Sequence, residues 1–476
     1  MQVQNLGKMS VDLGNEIQQS MTVEEALTIL DIVLNQKCLN NIQELVLRKV
    51  LAGQTYPEIA VTVGYDAEYI KLVGFQLWRL LSKVFGEKVT KSNFQSVLRR
   101  HSQKTLEVAR IPVLEDTEGA NTKQLKDWGD AIDVSTFYGR TKELATLAQW
   151  IVQNRCRLIT LLGMGGIGKT ALAAKLAEQI QDEFEYLFWR SLRNAPLVQD
   201  LLAELLHFLS KGQETDLPET LEDRVLRLIK YLRSSRCLLV LDNFETILRS
   251  GDRTGCYREG YEGYDQLLRY VAETPHHSCL VLTSREKPKG LAAKEGEKLP
   301  VRSLKLTGLQ TAEGREIFES RGSFWASEDE WRVLTEQYAG NPLALKMVAP
   351  AIQDLFNSSV SKFLELLKQN ILVFDDIRNL LDQQFNRLSD LEKQVMYWLA
   401  INLEPVSFLE LQADFIPNVG ISEILEVLAS LQRRCLIDKA MPTGIENNLA
   451  GFTQQPVVKD YIKNRLMEQV REQMEA

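Results

Sequence analysis

Residues 163–170 read GMGGIGKT and fit G-x-x-x-x-G-K-[ST]. The preceding RLITLL (157–162) is an apolar strand pattern, and Leu172, Leu176 and Ile180 fall on one face of the helical run that follows. A glycine loop joining a strand to a helix is the setting in which this spacing cradles nucleotide phosphates. Gly163, Gly165, Gly166 and Gly168 let backbone N–H groups close round a β-phosphate, with Met164, Ile167 and Ala171 in the same cradle. The helix N-terminus adds partial positive charge. Lys169 reaches the β- and γ-phosphates, and the Thr170 hydroxyl is a candidate Mg²⁺ ligand.

Three more residues extend this set. Asp242 follows the apolar CLLVL (237–241), so it emerges at the C-terminal end of a strand and can hold the same Mg²⁺ through water. Glu245 lies three residues on and is placed to orient an attacking water; the alternative is a solvated loop carboxylate. Arg285 ends LVLTSR (280–285) and is a cation that can touch a γ-phosphate; the alternative is an ion pair at a strand end. Lys169, Asp242, Glu245 and Arg285 are thus the candidate catalytic residues, and Thr170 with Asp242 the candidate metal ligands.

The scaffold that must position them is legible as alternation. Strand-like stretches at 157–162, 186–192, 237–241, 278–284 and 303–309 alternate with helical runs. Three of them are nearly continuous apolar runs, as for strands buried on both faces. The pattern predicts a doubly wound, parallel α/β sheet. Cys156, Cys237 and Cys279 sit in these runs and read as core residues. The six cysteines contain no C-x-x-C pair, which favours a reducing compartment, with the cytoplasm as the default. Net charge is 56 − 64 = −8, which argues against whole-surface attraction to nucleic acid or anionic lipid. No apolar run is long enough to span a bilayer, and MQVQNLGKMSVDLGNE has no signal core.

Outside the sheet, the expected organisation is a tail at 1–20, an N-terminal helical domain at 21–105, and a polar linker at 106–134. A nucleotide-binding domain follows at 135–305, then a small helical domain at 306–370 and a further domain at 371–476. RSGDRTGCYREGYEGY (249–264) reads as a surface loop, with a partner site as the alternative. The stretch 440–453 has room for a short hairpin.

Together the motifs resemble the NB-ARC branch of the STAND signal-transduction ATPases. FYGR (137–140) with Glu143 looks like that family's opening motif, which by the resemblance places Phe137, Tyr138 and Arg140 on the adenine side. GMGGIGKT is similar to its P-loop, LVLDNFE (239–245) to its Walker B segment, LTSR (282–285) to its sensor 1, and GNPLAL (340–345) to its GxP motif. By the same likeness Pro342 packs near adenine and ribose, and residues 371–470 form a winged helix. The implied fold is an α/β P-loop NTPase flanked by an N-terminal all-α helix-turn-helix domain and C-terminal helical and winged-helix domains. The implied ligands are ATP or ADP with Mg²⁺. Two departures stand out. Asn243 replaces the second of two consecutive acids, leaving Glu245 as the candidate base. FTQQPVVKDY (452–461) lacks the family's histidine, with Gln455 nearest its place, so a charged hydrogen bond to ADP gives way to a neutral one.

LNNIQELVLRKVLAGQTYPEIAVTVGYDAEYIKLVGFQLWRLLSKVFG (39–86) resembles a helix-turn-helix unit of bacterial STAND proteins. Residues 20–110 carry 12 Lys/Arg and 9 Asp/Glu, a balance of +3, so few phosphate contacts are available. Ile70, Val73, Phe75, Leu77, Trp78, Leu80 and Leu81 exceed one core face, which favours packing on a protein over reading DNA with Lys71, Arg79 and Lys83. The expected function is an ATP/ADP switch whose opening drives self-association and recruits a protein effector through the N-terminal helices. The alternative is a nucleotide-regulated DNA-binding regulator. Relatives usually carry a repeat sensor after the winged helix, so the expectation here is a sensor partner in trans or a shortened version.

Overall fold

The computed structural model describes residues 41–51, 54–63, 67–85, 88–91, 93, 94 and 97, then 124–213, 216–369, 375–402, 404–414, 419–440 and 451–475. The chain divides into two compact units, Met1–Ala120 and Asn121–Ala476.

In the first unit, α1 (Asn41–Leu51), α2 (Tyr56–Val63) and α3 (Ala67–Phe85) pack together. Glu58 ties down the start of α2, with the Thr55 N–H and hydroxyl both donating to Glu58 Oε2 at 2.7 and 2.8 Å. Gly74 lies under Tyr56, where an added Cβ would come within 2.6 Å of the phenolic oxygen. That close approach lets Trp78 Nε1 donate to Tyr56 Oη at 2.7 Å. Ile70, Val73, Leu77, Trp78 and Leu81 are all buried, and Phe75 alone among the described apolar side chains of α3 is exposed, at 64%. The expected apolar surplus on α3 is therefore mostly core. Gly53 and Gly64, which follow amphipathic runs where a helix C-cap belongs, and Leu27, Leu30, Val33 and Leu34, which share one face at helical spacing, lie outside the described residues.

The second unit is built on six strands: β1 (Leu125–Asp127), β2 (Leu158–Leu162), β3 (Tyr186–Ser191), β4 (Cys237–Asp242), β5 (Cys279–Ser284) and β6 (Val301–Lys305). Their order is β1-β3-β4-β5-β2-β6, and every pairing is parallel. All residues of β2, β4 and β5 are buried, as their apolar runs require for strands covered on both faces. The connecting helices are α4 (Thr141–Ala148), α5 (Lys169–Ile180), α6 (Val198–Leu209), α7 (Leu221–Ser234) and α8 (Gly263–Glu273). One face packs on α6, α7 and α8, the other on α4 and α5. β1 corrects the linker at 106–134: its three residues pair with β3 at the sheet edge, and Asp127 Oδ2 is fixed to Arg190 Nη2 at 2.7 Å. Three residues, only one of them apolar, carry too weak a period for strand detection, and only the edge of β3 gives them a partner.

Beyond the sheet come α9 (Thr311–Glu319), α10 (Glu328–Gln337), α11 (Pro342–Leu355) and α12 (Val360–Gln369). Then follow α13 (Asp375–Phe385), α14 (Asp390–Ile401), β7 (Val406–Ser407), α15 (Phe408–Asp414), α16 (Ile421–Arg433), β8 (Asp438–Ala440), β9 (Gly451–Thr453) and α17 (Pro456–Glu475). The antiparallel order β7-β9-β8 beside α14–α16 is a winged-helix arrangement, and β8 and β9 are the hairpin expected at 440–453. One continuous core joins α9–α12 to the winged helix. No helix among the described residues is long and apolar enough to cross a membrane.

Candidate functional site

The order β4-β5-β2 sets the site. β5 lies between the strand that ends in the glycine loop and the strand that ends in Asp242, so three strand ends converge at one sheet edge. Gly163, Gly166 and Gly168 have φ of 159°, 76° and 95°. At Gly166 a Cβ would meet Leu343 Cβ at 2.8 Å, so only glycine fits there between its own backbone requirement and α11. Lys169 is buried, and its Nζ donates to the carbonyls of Gly163 and Met164 at 2.9 and 3.0 Å. Burial pushes its pKa down, against the opposing field of Glu245. Thr170 Oγ1 donates to Asp242 Oδ1 at 2.8 Å, and Thr283 Oγ1 donates to the same oxygen. Burial raises the Asp242 carboxyl, while these two hydroxyls oppose the rise. An ammonium inside the loop and a hydroxyl–carboxylate pair beside it form a donor set that fits a Mg²⁺–nucleotide.

Glu245 and Arg285 are brought together as partners. Arg285 Nε lies 3.2 Å from Glu245 Oε1, and the Arg285 backbone N–H donates to Glu245 Oε2 at 3.2 Å. The strand-end ion pair considered for Arg285 is thus present, and Glu245 is buried rather than a solvated carboxylate. Asn243 takes a left-handed turn at φ 60°, which asparagine tolerates, and its side chain accepts from Ser191 Oγ at 3.2 Å.

The loop is gripped from three sides. Arg140 is buried and braces the loop from behind: Nη2 donates to the Ile167 carbonyl at 3.1 Å and Nη1 to Glu143 at 2.9 Å. Phe137 packs against the sheet core and Tyr138 against the helical core, so their motif links the two. Asn341 caps α11, accepting from the Leu343 and Ala344 N–H groups at 3.1 and 3.3 Å, and donates Nδ2 to the Gly165 carbonyl at 2.9 Å. Pro342 then begins α11, with its Cγ 3.9 Å from where a Cβ on Gly168 would lie. Gln384 of α13 accepts from the Gly165 N–H at 3.2 Å, and Met164 is buried in the helical core. The resemblance puts Gln455 nearest the place of the winged-helix histidine that bonds to ADP. Gln455 Nε2 instead donates to Asp438 Oδ2 at 3.5 Å, and the winged-helix hydrogen bond to the loop comes from Gln384. Sequence reasoning missed Gln384 because a glutamine in an amphipathic run carries no motif.

A second contact lies one residue past Arg285. Glu286 is almost fully buried and paired with three arginines: Arg433 at 2.7 Å, Arg434 at 3.0 Å and Arg387 at 3.4 Å. Arg434 Nη2 donates to the Asp252 carbonyl at 2.6 Å and Arg433 Nη2 to the Arg253 carbonyl. The 249–264 segment, expected as a surface loop, is therefore pinned to the winged helix, and Tyr264 at its end is fully buried.

Comparison with known proteins follows the same division. Residues 21–101 match the vWA-MoxR associated protein N-terminal HTH, and residues 140–247 match the NB-ARC domain. An uncharacterized WD repeat-containing protein of Nostoc sp. is 59% identical over 356 residues, 73% of this chain and 28% of the relative. Disease resistance protein RPM1 of Arabidopsis thaliana is 28% identical over 109 residues, 21% of this chain and 11% of that protein. The chain thus spans little more than a quarter of the first relative's length. A STAND protein with a tetratricopeptide repeat sensor from Pyrococcus horikoshii aligns with 71% of this chain and 44% of its own, at 21% identity and a TM-score of 0.37. Loop geometry and the two matches agree: residues 140–247 carry an NB-ARC domain with a P-loop, and residues 21–101 an N-terminal helix-turn-helix domain.

Proposed function

We propose that the protein is a signalling switch, closed with ADP and opened by ATP. The observation that carries this reading is the Gly165 peptide: its carbonyl accepts from Asn341 and its N–H is held by Gln384. A ligand entering the loop therefore competes with the helices that flank it. Lys169, now on two loop carbonyls, would turn to the β- and γ-phosphates. Thr170 and Asp242 would hold Mg²⁺, which would neutralise phosphate charge. Arg285 would leave Glu245 for a γ-phosphate, freeing Glu245 to orient water for slow hydrolysis. Moving a population from 1:99 to 99:1 takes about 5.5 kcal/mol of differential binding, and only the γ-phosphate distinguishes the two ligands. Opening would expose surfaces for self-association and for an effector taken up by the N-terminal helices.

The test is the nucleotide that copurifies, extracted and quantified beside Lys169→Ala. Close to one ADP per chain, absent from the variant, is the expected result. A site that is empty or exchanges freely would remove the lock, and a turnover ATPase would replace the switch. A second reading, DNA binding through α3, draws on exposed Lys71 and Arg79. Binding to random duplex that weakens steeply with salt would support it; none at low salt would exclude it.

A further inference from the structure

The sheet has a second charged edge, opposite the glycine loop. Because the order is β5-β2-β6, the segments leading into these three strands adjoin at their N-terminal ends. Hydrogen bonds tie them there: the Arg157 N–H donates to the Pro300 carbonyl at 2.8 Å, and the Leu280 N–H to the Arg157 carbonyl at 2.8 Å. Between them and the end of α7 lies a cavity of about 550 Å³. β2 has five residues, so the two edges stand roughly 17 Å apart at the usual rise per residue.

The lining holds five permanent cations, Arg155, Arg157, Arg233, Lys298 and Arg302, and no carboxylate. Among the described residues none of the five has an ion-pair partner. Elsewhere in this acidic chain arginines are commonly paired, as Arg190, Arg315, Arg433 and Arg465 are. Three of the five are positioned by the fold. Arg233 Nε donates to the Pro275 carbonyl at 3.1 Å. Arg157 Nη1 donates to the Ala272 and Thr274 carbonyls at 3.1 and 2.8 Å, leaving the rest of its guanidinium on the cavity wall. Arg302 stacks on Trp150 at 5.3 Å and donates to Asn154 at 3.2 Å. Five like charges round one concavity repel each other, and a bound anion would relieve that repulsion.

We propose that this cavity binds a compact polyphosphate, at a site separate from the glycine loop. Its volume falls within the range of small-molecule sites, and its cations surround one hollow rather than forming a stripe along a surface. A nucleic-acid backbone would call for the stripe. Arginine forks on fixed carbonyls and rings suit bidentate recognition of phosphate oxygens.

The probe is inorganic tripolyphosphate, titrated calorimetrically into protein already saturated with ADP, with magnesium in excess. About one further site per chain is expected. The double variant Arg155→Gln/Lys298→Gln changes two exposed side chains and should bind roughly tenfold more weakly or worse, since hydrogen bonds to charged groups are the stronger ones. Its melting temperature without the probe should match or exceed that of the parent. Arg315→Gln, on a distant paired arginine, should leave the titration unchanged. Absence of heat, equal affinity in the double variant, or saturation only by a single-stranded oligonucleotide that tripolyphosphate does not displace would each overturn the proposal.

Discussion

Glu286 Oε1 and Arg433 Nη1 lie 2.7 Å apart, 147 residues apart in sequence, and join the end of β5 to the end of α16. Glu286 directly follows Arg285, so the residue facing the phosphate site and the residue tied to the winged helix are chain neighbours. On the proposed switch, a displacement of Arg285 on ligand exchange would be transmitted to this cluster.

Glu286→Ala should open the contact between the nucleotide-binding and winged-helix domains. It leaves three arginines without their shared carboxylate, and breaking one side of a buried pair costs about 3–5 kcal/mol. The expected results are a larger radius of gyration in solution scattering and faster release of bound nucleotide. An unchanged radius and release rate would mean that the apolar core alone holds the domains.

Gln384→Ala separates two roles for one amide. Gln384 now occupies the Gly165 N–H, a donor that a phosphate would use. A neutral hydrogen bond is worth about 1 kcal/mol, so removing the competitor should tighten ADP binding roughly fivefold. Weaker binding would instead make Gln384 a ligand of the nucleotide.

Arg285→Ala should narrow the preference between ATP and ADP by about tenfold, the scale of one charge-assisted contact. Glu245→Gln should retain nucleotide and lower turnover by roughly 10²-fold or more, as for loss of a general base. Single-turnover measurements beside equilibrium binding distinguish the two. Equal turnover in Glu245→Gln would move the base elsewhere.

Lys169 should make nucleotide affinity depend on pH. Burial lowers its pKa in the free protein, so in the window between that value and the ordinary lysine value the unfolded chain binds more protons than the folded one. Stability of the nucleotide-free protein should therefore rise with pH across that window. A phosphate restores the proton, so ADP affinity should fall over the same window, with proton uptake visible in buffers of different ionisation heat. Lys169→Arg keeps the charge and should abolish the uptake; uptake persisting in that variant would assign it to another group.

Phe75→Ser tests the N-terminal unit. The ring is 64% exposed, so the substitution should leave helicity and melting unchanged within about 0.5 kcal/mol. Loss of self-association in the full chain would place Phe75 at an interface; unchanged association would leave α3 a core helix only.

The local chemistry is legible in short stretches of sequence. GMGGIGKT names its own strand–loop–helix, and the unbroken apolar runs of β2, β4 and β5 announce strands covered on both faces, because these signals lie in neighbouring residues. Asp242, Glu245 and Arg285 were legible as strand-end residues for the same reason. Pairings across long sequence gaps emerge only from the packed fold. The Glu245–Arg285 ion pair, the Gln384–Gly165 hydrogen bond and the Glu286 cluster join residues 40, 219 and 147 positions apart. Neither a glutamine on α13 nor the arginine pair at 433–434 carries a local pattern that distinguishes it from a solvated side chain. Their partners are chosen by which helix faces pack, and that packing is fixed by burial summed over the whole core rather than by any short stretch.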